Sequence, residues 1–163
     1  MNLNSKNNWI RRSILSAILS AAALSLPMIQ RLQPIYWAPG FFFALLVVRA
    51  RSSDPTLMTA VVLSYFLGYS SGDPLEKLGL NDWPLRVAAV AIGSLLLVLS
   101  LRWKGGLKEA RMANMAMLGT ALAVPFWWFL LRQPGGGEPI LPLKIAAFSI
   151  WQMPMAWYYL KQD

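Results

Sequence analysis

Apolar residues in this chain gather in long blocks with short polar breaks between them, a pattern that recurs along its whole length. A water-soluble helical fold of this size needs a polar outer face on most of its elements, and the blocks leave little room for one. They fall at about 13–29, 35–49, 56–71, 84–102, 112–131 and 140–160, and each predicts a helix. Several run to about 16 residues, slightly under the roughly 17 to 25 that a helix needs to cross a hydrocarbon core of about 30 Å. The pattern predicts an all-α fold: a polytopic integral membrane helical bundle of about six transmembrane helices, forming a single transmembrane domain over residues 1–163. Pro39 and Gly40 sit early in the second block, so that segment is expected to enter irregularly, either crossing the membrane or re-entering it.

The breaks carry the polar residues. The stretch SYFLGYSSGDPLEKLGLNDWP at 64–84, which runs from the end of the third block through the next break, holds Asp73, Glu76 and Asp82 together with Gly68, Gly72, Gly79, Pro74 and Pro84. Glycine and proline at this density predict a chain reversal between the third and fourth spans, kept wet by the carboxylates.

Charge orients the bundle. Lysine and arginine alternate in abundance from break to break: ten lie in breaks on the side of the termini, among them Arg12, Arg51, Lys104 and Arg111, against five on the other side, namely Arg31, Lys77, Arg86, Arg132 and Lys144. Cytoplasmic loops retain such residues, so both termini are expected in the cytoplasm. The net charge of +8 is therefore read as topology and not as a nucleic-acid surface, because no single water-facing element collects it. Trp9, Trp37, Trp83, Trp103 and the Trp157–Tyr158–Tyr159 cluster lie at predicted span edges, where amphipathic rings settle; Trp151 is the exception. Residues 1–26 have the basic start and short apolar run of a secretion signal, and are expected to act as an uncleaved first span.

Candidate chemistry is sparse. Cysteine and histidine are both absent, which removes thiol and imidazole nucleophiles, bases and metal ligands. No carboxylate falls in the middle of a span, where an ion or proton pathway would place one. Arg86 and Lys144 lie near outer helix ends, where they are expected to snorkel, with Asp82 pairing to Arg86 one turn away. Among the polar residues inside spans, Ser64, Ser94 and Thr120 with Gly68, Gly93 and Gly119 suit close helix packing. Asn114 and Gln152 are expected as buried partner-binding amides. Gly135–Gly137 between prolines predicts an outer turn. Neither a cofactor nor a metal site is expected.

The order of features resembles the MreD family, the small integral membrane component of the bacterial cell-elongation machinery. The resemblance rests on the proline-led second span QPIYWAPGFFFALLVVRARSSDP with Pro34 or Pro39, on the glycine turn with Pro74, Leu75, Leu78 and Gly79, and on WQMPMAWYYLKQD with Trp151, Pro154 and Trp157. This chain departs from the family in having Gly68 where an acidic residue is frequent, and in the longer continuation EKLGLNDWP. The resemblance implies a non-enzymatic inner-membrane scaffold of rod-shape and peptidoglycan synthesis, the elongasome. Its implied partners are membrane lipids and MreC-like and RodA-like membrane proteins, with no small-molecule substrate. It also implies an arrangement similar to the substrate-binding (S) components of energy-coupling vitamin transporters. The outward partner-binding surface is then expected at Tyr69, Asp73, Pro74, Glu76 and Trp83.

Two rival readings use the same architecture. A small-molecule (vitamin-type) binding subunit of a membrane transporter would place an outward cavity among Trp127, Trp128, Trp151 and Gln152, where aromatic faces and an amide suit such a ligand. A membrane enzyme would use Asp73 and Glu76, three residues apart, for metal or acid-base work.

Overall fold

A computed structural model describes residues 8–25, 37–79, 82–131 and 140–161. The expected sites at Arg31, Pro34, Arg132 and Gly135–Gly137, and the end of the first expected span at 26–29, lie outside the described residues. Eight helices are seen among the described residues, without strands: α1 Asn8–Ala23, α2 Ala38–Leu46, α3 Pro55–Ser70, α4 Gly72–Lys77, α5 Asp82–Trp103, α6 Glu109–Ala121, α7 Ala123–Leu131 and α8 Leu141–Leu160. A 3-10 turn, Val48–Ala50, extends α2.

Local sequence accounts for the element ends. Asp54 caps α3 by accepting the Thr56 N–H at 2.8 Å and the Thr56 hydroxyl, with Pro55 at the first helical position where its missing N–H costs nothing. Pro125 cannot bond to Ala121 and crowds its carbonyl, so the fifth expected span divides into α6 and α7 at Leu122, one turn ahead of the proline. Gly106, at φ +69°, lets the chain double back after α5 so that the Leu107 N–H reaches the Leu101 carbonyl at 3.1 Å.

The helices close into a ring in which α1 packs on α2, α2 on α3, α3 on α5, α5 on α6 and α7, and α8 on α6, α7 and α1. Small residues set the tightest crossing. A Cβ added to Gly68 of α3 would lie 2.6 Å from the Gly93 Cα of α5, so the two backbones touch there, and Ser64 bonds to Ser100 across the same pair at 3.2 Å. The packing role expected of these residues is the one they have.

The ring is apolar on its outside. On α1 the buried face consists of Ser13, Ser16, Ala17, Ser20 and Ala21, while Ile14, Leu15 and Ile18 are exposed. Leu63 and Leu67 on α3, Leu95 and Leu99 on α5, and Met117 and Val124 on α6 and α7 point outward at helical spacing in the same way. Asp82–Trp103 and Glu109–Phe129 are long and apolar enough to cross a membrane, and only 28% and 17% of their apolar windows are buried. The core of a soluble protein would bury most of such a helix. The helices α1 and α3, at 16 residues each, span about 24 Å, and Ala38–Ala50 is shorter still.

Candidate functional site

The two ends of the ring differ. At the end that carries the first and last described residues, basic side chains tie helix termini together. Arg12 donates to the Leu46 carbonyl at 3.1 Å, and Arg51 to the Tyr159 carbonyl at 2.9 Å while lying over the Tyr159 ring. Arg111 donates to the Lys161 carbonyl, and Lys104 pairs with Asp54 at 3.4 Å. Helix C-termini present unbonded carbonyls and the negative end of the helix dipole, so cations are favoured there. Beneath this layer Phe43, Val47, Leu57, Leu101, Leu107 and Tyr159 are fully buried in one core.

Among the described residues the opposite end is open. A cavity of about 450 Å³ enters the ring there, bounded by α3, α5, α7 and α8 with Leu24 and Pro39 at its edge. Its aromatic walls come from Tyr65, Phe126, Trp127, Phe148 and Trp151. Tyr65 meets Trp151 edge to face at 5.2 Å, and Phe126 meets Phe148 at 5.4 Å. Trp151, the residue that fitted no interface, is buried and donates its indole N–H to the Gly119 carbonyl at 3.1 Å, so it braces α8 on α6. Charge is confined to the rim, where Asp73 and Glu76 of α4 and Arg86 of α5 line the mouth.

The expected site residues divide between these regions. Tyr69, Asp73 and Glu76 are exposed and share the cavity mouth; Pro74 and Trp83 are exposed but do not line it. The 64–84 stretch is more than a reversal, because Gly72–Lys77 forms the short helix α4, which packs on α5. Among the described residues Asp73 and Glu76 belong to no group of three metal-ligating side chains.

Asn114, expected buried, is exposed on the outer face of α6. The reason is helical phase: Met115 and Gly119 take the inward positions of that helix. Gln152 is wholly buried, and its amide N–H₂ donates to Ser20 of α1 at 3.3 Å, an attachment within the chain. Of the residues proposed for an outward cavity, Trp127 and Trp151 line it, whereas Trp128 is exposed and Gln152 lies elsewhere in the core.

Two expectations for basic residues are corrected. Arg86 does not pair with Asp82; its guanidinium stacks over Trp127 at 4.9 Å, and Trp127 returns its indole N–H to the Arg86 carbonyl at 3.1 Å. The aromatic face is the less hydrated partner and holds the planar cation across the α5–α7 contact. Lys144 does not snorkel outward: it is buried, and donates to the Leu24 carbonyl at 3.3 Å, just past the end of α1.

Sequence reasoning missed Tyr65, Ser94, Phe126 and Phe148 as cavity residues. Their signal was present only as ordinary span composition, since a lining position and a packing position use the same residue types.

No protein-family model, curated protein or solved structure matches the chain.

Proposed function

We propose that this chain is a multi-pass membrane protein that works by binding and not by catalysis, with both termini on the cytoplasmic side. The observation that carries the membrane reading is the inverted helix α1: serine and alanine face inward while isoleucine and leucine face out. In water such a helix would expose its apolar face and bury its hydroxyls, whereas in lipid the same arrangement lets small residues approach and apolar ones meet acyl chains. The six segments of the ring are the six spans, with α2 and its 3-10 extension as the short second one. The bacterial inner membrane is the location that the MreD-like pattern favours.

Within that reading, the chain is a scaffold of the cell-elongation machinery that holds MreC-like and RodA-like membrane proteins. The exposed residues Tyr69, Asp73, Pro74, Glu76 and Trp83 supply an outer contact surface, and Asn114 presents an amide on the lipid-facing side of α6. The test is co-purification with a co-expressed MreC-like protein. Asp73→Ala, Glu76→Ala and Trp83→Ala together are expected to reduce recovery at least tenfold, and undiminished recovery removes the docking role. Release of the protein from membranes by alkaline carbonate without detergent would remove the membrane reading itself.

The open cavity supports a second reading, a small-molecule binding subunit, because scaffolding alone gives no reason for an aromatic chamber of about 450 Å³ inside the ring.

A further inference from the structure

Charge is divided unequally between the two ends. Among the described residues the tied end holds nine lysines and arginines: Arg11, Arg12, Arg49 and Arg51, four more between Arg102 and Arg111, and Lys161. Against them stand only the carboxylates of Asp54 and Glu109. The open end is balanced, with Lys77, Arg86 and Lys144 facing Asp73, Glu76 and Asp82. A surplus of cations on one side orients a bundle in the membrane, but orientation requires only a difference between the sides and gives the charges no partner.

Contacts within the chain use up part of the surplus. Arg12, Arg51 and Arg111 each bond to a carbonyl of another helix, yet a guanidinium carries five N–H donors, so most of their donors remain unspent. Lys104 pairs with Asp54 at 3.4 Å and Arg102 lies 3.8 Å from Glu109, so both described carboxylates of this end are already taken. Arg11, Arg49 and Lys161 are exposed, and their side chains have no hydrogen-bond or ion-pair partner among the described residues.

Depth in the membrane selects what meets these charges. Trp103 is 67% exposed and Trp157 is 40% exposed, and both lie at the tied end. Indole rings on an apolar bundle settle at the level of the lipid headgroups, so the cations beside them face phosphate groups and not bulk water. Arg102 and Lys104 flank Trp103, with the Lys104 ammonium 5.2 Å from its ring centre, and Lys161 follows Trp157 by one turn. An anionic lipid surface attracts each such cation, and the attraction fades within a Debye length, so it acts on charges held at that level.

We propose that the tied end is a binding surface for the headgroups of anionic phospholipids, which it selects over zwitterionic ones through Arg11, Arg49 and Lys161. The proposal rests on the membrane reading above and adds the charge of the lipid to it.

Nanodiscs made from equal parts of phosphatidylglycerol and phosphatidylcholine with the same acyl chains provide the test, with the full chain reconstituted in them and its retained lipids counted by native mass spectrometry. The native chain should retain phosphatidylglycerol about tenfold over phosphatidylcholine. Arg11→Gln, Arg49→Gln and Lys161→Gln together should lower that preference to about twofold, with an unchanged melting temperature showing that the variant folds. Lys77→Gln at the open end should leave the preference as it is, and millimolar glycerol phosphate should not displace the lipid. Equal retention of the two lipids by the native chain would overturn the selection and leave the membrane reading intact, whereas failure of the chain to enter the discs would overturn both. A preference that survives the triple substitution would overturn the role of these residues. Displacement by glycerol phosphate would overturn the lipid as occupant in favour of a soluble phosphate.

Discussion

The tied end and the open end of the ring use the same kinds of residue to opposite effect. At the tied end arginines reach across to carbonyls of other helices, so Arg12, Arg51 and Arg111 each join two segments, and the side chains beneath are fully buried. At the open end Arg86 rests on a neighbouring indole, the carboxylates of α4 face outward, and the helices part around a chamber. Three arginines join helix termini at the tied end; at the open end Lys144 makes one such tie, to the Leu24 carbonyl, and Arg86 sits on an aromatic face beside the chamber. On the proposed function the difference would separate a stability end from a recognition end, as loops and scaffold are separated in many binding proteins.

The largest expected effect comes from the crossing that both ends share. Gly68→Val would push a side chain into the Gly93 backbone, and we expect a loss of about 3 kcal/mol, read as a lowered melting temperature in detergent. Next, the two ends should answer differently to the same substitution. Arg51→Met removes a charge-assisted bond and a ring contact and should cost about 2 kcal/mol, whereas Arg86→Met should cost about 0.5 kcal/mol; equal losses would erase the distinction. Gln152→Met should change stability by less than about 0.5 kcal/mol, because the lost bond to Ser20 is offset by removing the Gln152 Oε1, which is buried without a partner.

The smallest effect concerns pH. The Asp54 carboxyl is held below its ordinary range by the Thr56 hydroxyl, then by the Thr56 N–H, with Lys104 assisting. A lowered carboxyl favours the folded state above its unfolded value, near 3.9, and that contribution disappears as pH falls through the lower folded value. Thermal stability of the native chain should therefore decline slightly more on acidification below about pH 4 than that of Asp54→Asn.

Helix positions were legible because apolar block length is a one-dimensional signal. The third, fourth and sixth blocks agree with α3, α5 and α8 to within two residues at each end. The break at Leu122 was also written in the chain, at Pro125, since a proline acts one turn upstream of itself. Facing was much harder to read. Asn114 and Gln152 look alike in a span, and only the phase of Met115 and Gly119 decides that the first points out. On α1 the stripe Ser13, Ser16, Ala17, Ser20 and Ala21 recurs at helical spacing and marks the inward face, because in lipid the small residues go inside. The cavity was marked only in part, at Trp127 and Trp151; Tyr65, Phe126 and Phe148 join them only when α3, α5, α7 and α8 converge.

The central claim is that the two ends lie on opposite sides of a bilayer, and the absence of cysteine permits a direct test. Single substitutions Lys108→Cys at the tied end and Asp73→Cys at the open end would be labelled with a membrane-impermeant maleimide in sealed right-side-out vesicles. The account predicts labelling of Asp73→Cys alone, with Lys108→Cys reacting only after the vesicles are opened. Equal labelling of both in intact vesicles would contradict it.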